Sequence, residues 1–299
     1  MGGLSAALST WKLGDLTVNR IGFGAMRLPQ TGAAFEPGSP PRDRDQAIAV
    51  LRRAVELGVD HIDTASFYFS ALRSANELIN SALAPYPDGL VIATKVGPSR
   101  DPAGEFRAPA TPEQLRGQVE ENLRQLGRDH LDLVYLRAVN RDSIGDRFAV
   151  LAELREAGLI RHLGISAVGA GHLAEAQAIA PVVAVQNSYG LGYRAKQDEL
   201  IRICGEQGVA YVPFFAIAGA NREAGGTTDS ADISRIAEAH GATAAQVRLA
   251  WILQRGPHVL VIPGTGDPNH LVENMAAADL QLSADELAIL DTLHRISGA

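Results

Sequence analysis

Val59-Asp-His-Ile-Asp63-Thr-Ala-Ser-Phe-Tyr68 and Leu90-Val-Ile-Ala-Thr-Lys95 share one grammar: an apolar run that stops on a charged residue. Neither run alternates with polar residues, which is the pattern of strands buried on both faces of a parallel sheet. The first ends in a carboxylate and leads to a phenol; the second ends in an ammonium. If the two strands lie side by side, their C-terminal ends gather an acid, a base and a proton donor suited to carbonyl chemistry.

Outward from these two, similar segments recur at Ile21–Gly24, Leu131–Leu136, His162–Ile165, Val182–Gln186, Ala210–Pro213 and Val259–Ile262, making eight predicted strands with Val59–Thr64 and Leu90–Lys95. Helical spacing fills the intervals. Thr111-Pro-Glu-Gln114 is a capping box with proline in the first turn, followed by Leu115, Val119, Leu123 and Leu126 on one face and a stop at Gly127. Residues 45–57 carry Ile48, Leu51 and Val55; Thr243-Ala-Ala-Gln246 and Ser283-Ala-Asp-Glu286 start two more helices. Strands alternating with helices predict an α/β fold, and eight of them predict a (β/α)8 TIM barrel. A doubly wound sheet is the competitor, but Gly22-Phe-Gly24 lacks the third glycine and the later acidic residue of a dinucleotide fingerprint. Trp11–Arg20, turning at Gly14-Asp15, predicts an N-terminal β-hairpin plugging the barrel, and the segment after Ser283 an extra C-terminal helix. Loops Pro29–Arg42, Gly97–Ala110 and Ala218–Asp232 each follow a strand, so each is expected on the C-terminal face, where barrels keep their active sites.

Composition narrows the function. No break in composition divides residues 1–299, which therefore read as one barrel domain. A net charge of −7 with interspersed signs offers no basic stripe for nucleic acid. Cys204 is the only cysteine, which excludes an internal disulfide and points to a reducing compartment. The start, Met-Gly-Gly-Leu-Ser-Ala, has neither secretory nor myristoylation character, and no apolar run approaches the ~18 residues of a membrane span. A cytoplasmic protein acting on a small molecule is expected. The eight histidines show no HExxH or paired-ligand spacing, so no metal site is expected, and Gly164-Ile-Ser-Ala-Val-Gly169 is no nucleophile elbow.

The barrel reading places Asp63, Lys95 and Arg137 at the ends of the second, third and fourth strands, with Tyr68 over the same mouth. A phenol of ordinary pKa about 10 is a poor acid at neutral pH, and a nearby ammonium is expected to lower that value. On spacing alone, a surface tyrosine beside a structural Asp–Lys pair remains open.

The chain resembles the aldo-keto reductases over nearly its whole length. The likeness lies in Gly14-Asp-Leu-Thr-Val-Asn-Arg-Ile-Gly-Phe-Gly-Ala-Met26, His61-Ile-Asp-Thr-Ala65 with Tyr68, Thr94-Lys95, Leu131-Asp-Leu-Val-Tyr-Leu136, Gly164-Ile-Ser166, Val185-Gln186-Asn187 and Ile262-Pro-Gly-Thr-Gly-Asp-Pro-Asn-His-Leu-Val-Glu-Asn274. The resemblance implies catalytic roles for Asp63, Tyr68 and Lys95, with Arg137 at the position where the family has histidine. Arginine cannot act as a neutral imidazole, but its fixed charge can orient a carbonyl or bind an anionic group. A subgroup similar to pyridoxal reductases shares Tyr-Leu-Arg137, Val212-Pro-Phe-Phe215 and Ile-Pro-Gly-Thr265. The resemblance further implies NADPH as cofactor: Ser166 and Gln186 at the nicotinamide amide, Phe214 stacked on its ring, and Gly24, Met26 and Ile262 within the cofactor segments. Gly264, Thr265 and His270 fall where the adenosine 2′-phosphate is read, and Glu273 and Asn274 where adenine is contacted. Ala167 replaces the asparagine usual after the serine. The implied activity is reduction of an aldehyde or ketone to the alcohol, or its reverse. A redox-sensing regulatory subunit and a dehydratase or epimerase are the alternatives. Ala216, Ile217 and Phe23 are the expected apolar walls for the substrate.

Overall fold

The computed structural model describes residues 10–32, 35, 36, 38–191, 197–217 and 230–296, so most of the predicted loop 218–232 and the first nine residues lie outside the described residues. An antiparallel hairpin, β1 (Thr10–Leu13) and β2 (Leu16–Asn19), precedes a seven-stranded parallel sheet. In both space and sequence its order is β3 (Phe23–Gly24), β4 (His61–Asp63), β5 (Val91–Val96), β6 (Leu131–Arg137), β7 (Ile160–Ser166), β8 (Val182–Gln186) and β9 (Ala210–Tyr211).

The predicted eighth strand differs from expectation. Instead of a regular strand, it makes single parallel bridges, Val259 to Tyr211 on one sheet edge and Val261 to Ile21 beside the other. Backbone hydrogen bonds reinforce both contacts: Leu260 N–H to Tyr211 O at 2.9 Å, and Gly22 N–H to Val261 O at 2.8 Å. One segment thus joins both edges, and the sheet closes as a (β/α)8 barrel. Pro257 and Pro263 flank the bridges, and proline supplies no ladder donor. Closure also requires the absence of side chains. A Cβ on Gly24 would lie 2.5 Å from the carbonyl oxygen of Ile262, and one on Gly264 2.3 Å from that of Gly24.

Period-two alternation sorts each strand into an inner and an outer face. Inward residues Val91, Ala93, Leu133, Tyr135, Ala184, Ala210 and Leu260 pack with Leu13 and Val18 of the hairpin, which plugs the barrel as predicted. Its turn needs glycine twice over, because Gly14 has φ +65° and a Cβ there would strike the His162 ring at 2.2 Å. Outward residues Ile62, Ile92, Val134, Leu163, Ile165 and Val185 pack against a surrounding layer of helices through Leu51, Leu78, Leu115, Phe148 and Trp251.

The predicted helix starts hold. In Pro112–Leu126 the Thr111 N–H donates to the Gln114 side chain at 3.0 Å, and Gly127 ends the helix at φ +63°. Arg44–Glu56 is capped by Asp43, which accepts from Gln46 N–H at 2.8 Å. Ala244–Leu253 starts at Thr243, and Ala284–Ile296 at Ser283, whose hydroxyl accepts from Glu286 N–H at 3.3 Å. Among the described residues, no helix is long and apolar enough to cross a membrane.

Two glycines should respond to alanine with opposite signs. Gly264→Ala forces a side chain into the closing seam and should cost about 1–3 kcal/mol. Gly117→Ala, at a helical position where nothing lies within 4 Å, should stabilise by about 0.5–1 kcal/mol. Urea denaturation of both variants decides whether the seam is as tight as described.

Candidate active site

Continuing the inward columns to the C-terminal mouth brings each candidate side chain onto the same face. Lys95 follows Val91 and Ala93 on β5; Arg137 follows Leu133 and Tyr135 on β6; Gln186 follows Ala184 on β8. Register sets the level, with Arg137 opposite Ser166 and Ser166 opposite Gln186. Lys95 Nζ donates to Asp63 Oδ1 at 2.5 Å and to the carbonyl oxygen of Thr64 at 3.0 Å. The other carboxylate oxygen accepts from Gln186 Nε2 at 2.7 Å. Lys95 and Asp63 are 1% and 4% exposed, so this is a buried pair with hydrogen bonds beyond its own contact. Removing one partner of such a pair costs about 3–5 kcal/mol.

Tyr68 is held over the pair by its N–H to Ala65 O at 3.0 Å, and Lys95 Nζ lies 4.9 Å from the centre of its ring. The sequence reading expected a lowered phenol pKa, and this is corrected. Burial pushes the Tyr68 phenol up from its ordinary value, against the downward pull of Lys95 and Arg137, while the Asp63 charge pushes it further up. The ammonium acts as anticipated, but desolvation of a phenolate outweighs it.

Arg137 lines the cavity. It donates to Ser166 Oγ at 3.3 Å, and its guanidinium carbon lies 4.9 Å from the centre of the Phe214 ring. Gly97 makes room behind it, since a Cβ there would meet the Arg137 carbonyl oxygen at 2.6 Å.

These groups open on a cavity of about 710 Å³. Asp63, Tyr68 and Arg137 line it, as do Gly24, Met26, Gln186, Phe214, Ile262, Gly264, Thr265, His270 and Asn274. Ser166 is fully buried behind Arg137, and Glu273 sits on the helix Pro268–Ala276 outside the lining. Of the expected apolar walls, Ala216 and Ile217 line the cavity; Phe23 is fully buried and does not.

Among the described residues, two buried polar atoms of lining side chains find no hydrogen-bond partner: Gln186 Oε1 and Asn274 Nδ2. A buried orphan is costly unless a ligand satisfies it. The first is an acceptor suited to a carboxamide N–H, the second a donor suited to a heterocycle nitrogen, so the residues fit a nicotinamide adenine dinucleotide. The segment expected to read phosphate makes hydrogen bonds of its own. Asp267 caps Pro268–Ala276 by accepting from Asn269 N–H at 2.8 Å, and Thr265 Oγ1 accepts from Asp267 N–H at 3.0 Å.

Sequence reasoning missed Arg27, Arg42 and Gln46, which line the cavity beside this segment. Arg42 is packed flat on Gly266, where a Cβ would lie 2.1 Å from its guanidinium carbon, and donates to Arg27 O at 3.2 Å. Gln46 donates to Gly266 O at 3.0 Å. A basic residue closing a loop of the predicted C-terminal face was the available signal. Phe35, Phe67 and Phe106, also in the lining, had no signal beyond being aromatic in loops.

The sequence model of the Aldo/keto reductase family matches residues 20–295. The pyridoxine 4-dehydrogenase of Escherichia coli (strain K12) is 44% identical over 294 residues, covering 96% of this chain and 99% of that protein. An uncharacterized oxidoreductase of Schizosaccharomyces pombe is 38% identical, covering 94% of this chain and 89% of its own. Among solved structures, an aldo/keto reductase from Klebsiella pneumoniae in complex with NADP and acetate superposes with a TM-score of 0.78 at 29% identity, covering 96% of this chain and 95% of that one.

The balance of forces on Tyr68 gives a measurable order. Its phenol carbon, followed by NMR with labelled tyrosine and assigned with Tyr68→Phe, should titrate above the ordinary value of about 10. Lys95→Met removes a downward pull and leaves Asp63 uncompensated, so the midpoint should rise further; Asp63→Asn should bring it down. A fall in Lys95→Met would contradict the electrostatic account.

Proposed function

The chain belongs to the Aldo/keto reductase family, and on that premise we propose that it is an NADPH-dependent carbonyl reductase in which Tyr68 delivers the proton. The observation that carries this reading is the unbroken contact chain Lys95–Asp63–Gln186 beneath Tyr68, ending in a cavity-lining residue whose amide oxygen has no partner among the described residues. Relatives in complex with NADP support the choice of cofactor.

When bound, the dinucleotide supplies a hydride to the carbonyl carbon. Gln186 Oε1 would accept from the carboxamide, Phe214 would offer its ring face, and Asn274 Nδ2 would donate to adenine. Gly24, Met26, Ile262, Gly264 and Thr265 would form the wall beside it, while Ser166 and Glu273 lie outside the lining. Arg42 and His270 line the side that would take the phosphate. Tyr68 donates its O–H to the substrate oxygen, and Lys95, held in place by Asp63, stabilises the phenolate left behind. Arg137 directs N–H groups towards the same oxygen. Because a guanidinium keeps its proton in proteins, its contribution is orientation and charge stabilisation, not acid–base exchange.

The substrate we infer is a flat aromatic aldehyde. Phe35, Phe67 and Phe106 face the cavity around Tyr68, and the relative of 44% identity is named for pyridoxine, whose 4-alcohol and matching aldehyde form such a pair. The set Asp63, Tyr68 and Lys95 is intact, which favours turnover over a sensing or dehydratase role. We place the enzyme in the cytoplasm, in keeping with a lone buried cysteine.

Tyr68→Phe should lower the rate of aldehyde reduction by about 10²–10⁴ while leaving NADPH affinity, read by fluorescence titration, close to wild type. Wild-type turnover in this variant would remove Tyr68 from the mechanism.

A further inference from the structure

Three loops of the C-terminal face meet at the guanidinium of Arg100. Its Nε donates to Gly104 O at 2.7 Å, Nη1 to Phe69 O at 2.8 Å and Phe67 O at 3.3 Å, and Nη2 to Phe35 O at 3.4 Å. The same group lies over three rings, its carbon 4.6 Å from the centre of Phe69, 5.3 Å from Phe35 and 5.8 Å from Phe106. Arg100 itself is absent from the cavity lining, but Phe35, Phe67 and Phe106 belong to it. These three rings lie 5.4–6.4 Å apart, and Tyr68 sits 5.7 Å from Phe35 and 5.1 Å from Phe67.

Phe35 stands at φ +65°, a conformation that a bulky side chain adopts only when its surroundings hold it. A planar group with five diverging N–H donors can reach all four carbonyls while stacking on rings; a lysine ammonium cannot. A short antiparallel bridge between Arg100 and Phe106 fixes the base of the side chain, so its reach across to the other two loops is set by its own hairpin.

We propose that Arg100 is a positioning residue: from behind the cavity it sets the spacing of the Phe35, Phe67 and Phe106 wall, and so seats a flat ring with its carbonyl at the Tyr68 hydroxyl. This rests on the carbonyl-reductase reading above. A small aliphatic aldehyde, having no ring to seat, depends little on the wall. The discriminating quantity is therefore a ratio of specificities, which general loss of stability leaves alone.

The experiment measures kcat and KM for pyridine-4-carboxaldehyde and for propanal in the wild type, Arg100→Lys and Arg100→Ala, with thermal melts alongside. The expected result is a fall of about tenfold in the aromatic-to-aliphatic ratio of kcat/KM, carried mainly by the aromatic KM, in both variants. An unchanged ratio, or full recovery in Arg100→Lys, overturns the proposal. Should Arg100→Ala fail to fold, Phe106→Leu at the exposed rim tests the same wall: the ratio falls if the proposal holds, and an unaltered ratio refutes it. A wild type that turns over neither aldehyde would instead refute the reductase reading.

Discussion

A carboxylate and an ammonium, both almost without solvent, are held 2.5 Å apart at the mouth of the barrel. Desolvating two such charges is expensive, and their mutual attraction offsets the cost only when geometry and further hydrogen bonds are right. Here both conditions are met by backbone and neighbours. Asp63 and Lys95 sit on adjacent parallel strands, the ammonium has the Thr64 carbonyl as a second acceptor, and the spare carboxylate oxygen accepts a hydrogen bond from Gln186 Nε2. A barrel that opened at the Gly24–Gly264 seam would free β3, whose Gly24 pairs with Asp63 in register, and loosen the strand that carries the carboxylate.

The residues next to the pair point the other way, and they too are polar. Thr64 Oγ1 donates to Asn76 Oδ1 at 2.7 Å; Thr94 Oγ1 donates to Asn122 Oδ1 at 2.6 Å; Asn76 Nδ2 joins them, donating to Asn122 Oδ1 at 2.9 Å. All four side chains are fully buried. This bridge fastens β4 and β5 to the helices Ala75–Leu83 and Pro112–Leu126 on the outer face, directly behind Asp63 and Lys95. Buried polar groups that satisfy one another fix a single arrangement in a way apolar packing does not. The acid and base are thereby located from both sides of the sheet.

How much of this was legible in the sequence depends on the range of each force. Apolar runs and capping boxes are local, so β5, β6 and the helix Pro112–Leu126 stood where patterning put them, within a residue or two. The eighth strand was legible as an apolar segment, but its reduction to two bridges depends on edge partners far away in sequence. Asp63, Tyr68, Lys95 and Arg137 could be named because strand ends of a closed barrel converge. The net direction of the Tyr68 shift could not, since burial is a property of the assembled loops and outweighs a charge effect that spacing alone suggests. Arg100 and the phenylalanines around it were silent for the same reason: loop residues acquire meaning only from what the loops bring together.

The upward shift of the phenol has a constructive side. In the proposed mechanism a donor must keep its proton until the substrate oxygen demands it, and the burial that raises the Tyr68 phenol acts in that direction. Lys95 and Arg137 do little for a neutral phenol, since a charge interacts weakly with a group that bears none. Once the proton leaves, the same two cations face a phenolate in a site of low dielectric, where each contact is worth far more than in water. Their benefit is therefore concentrated in the charged form that develops along the reaction, which is the condition for lowering a barrier without merely tightening binding. Arginine at position 137 suits this division of labour. With acid chemistry assigned to the phenol alone, the neighbouring position needs a charge that never titrates, and a guanidinium stacked on Phe214 supplies it.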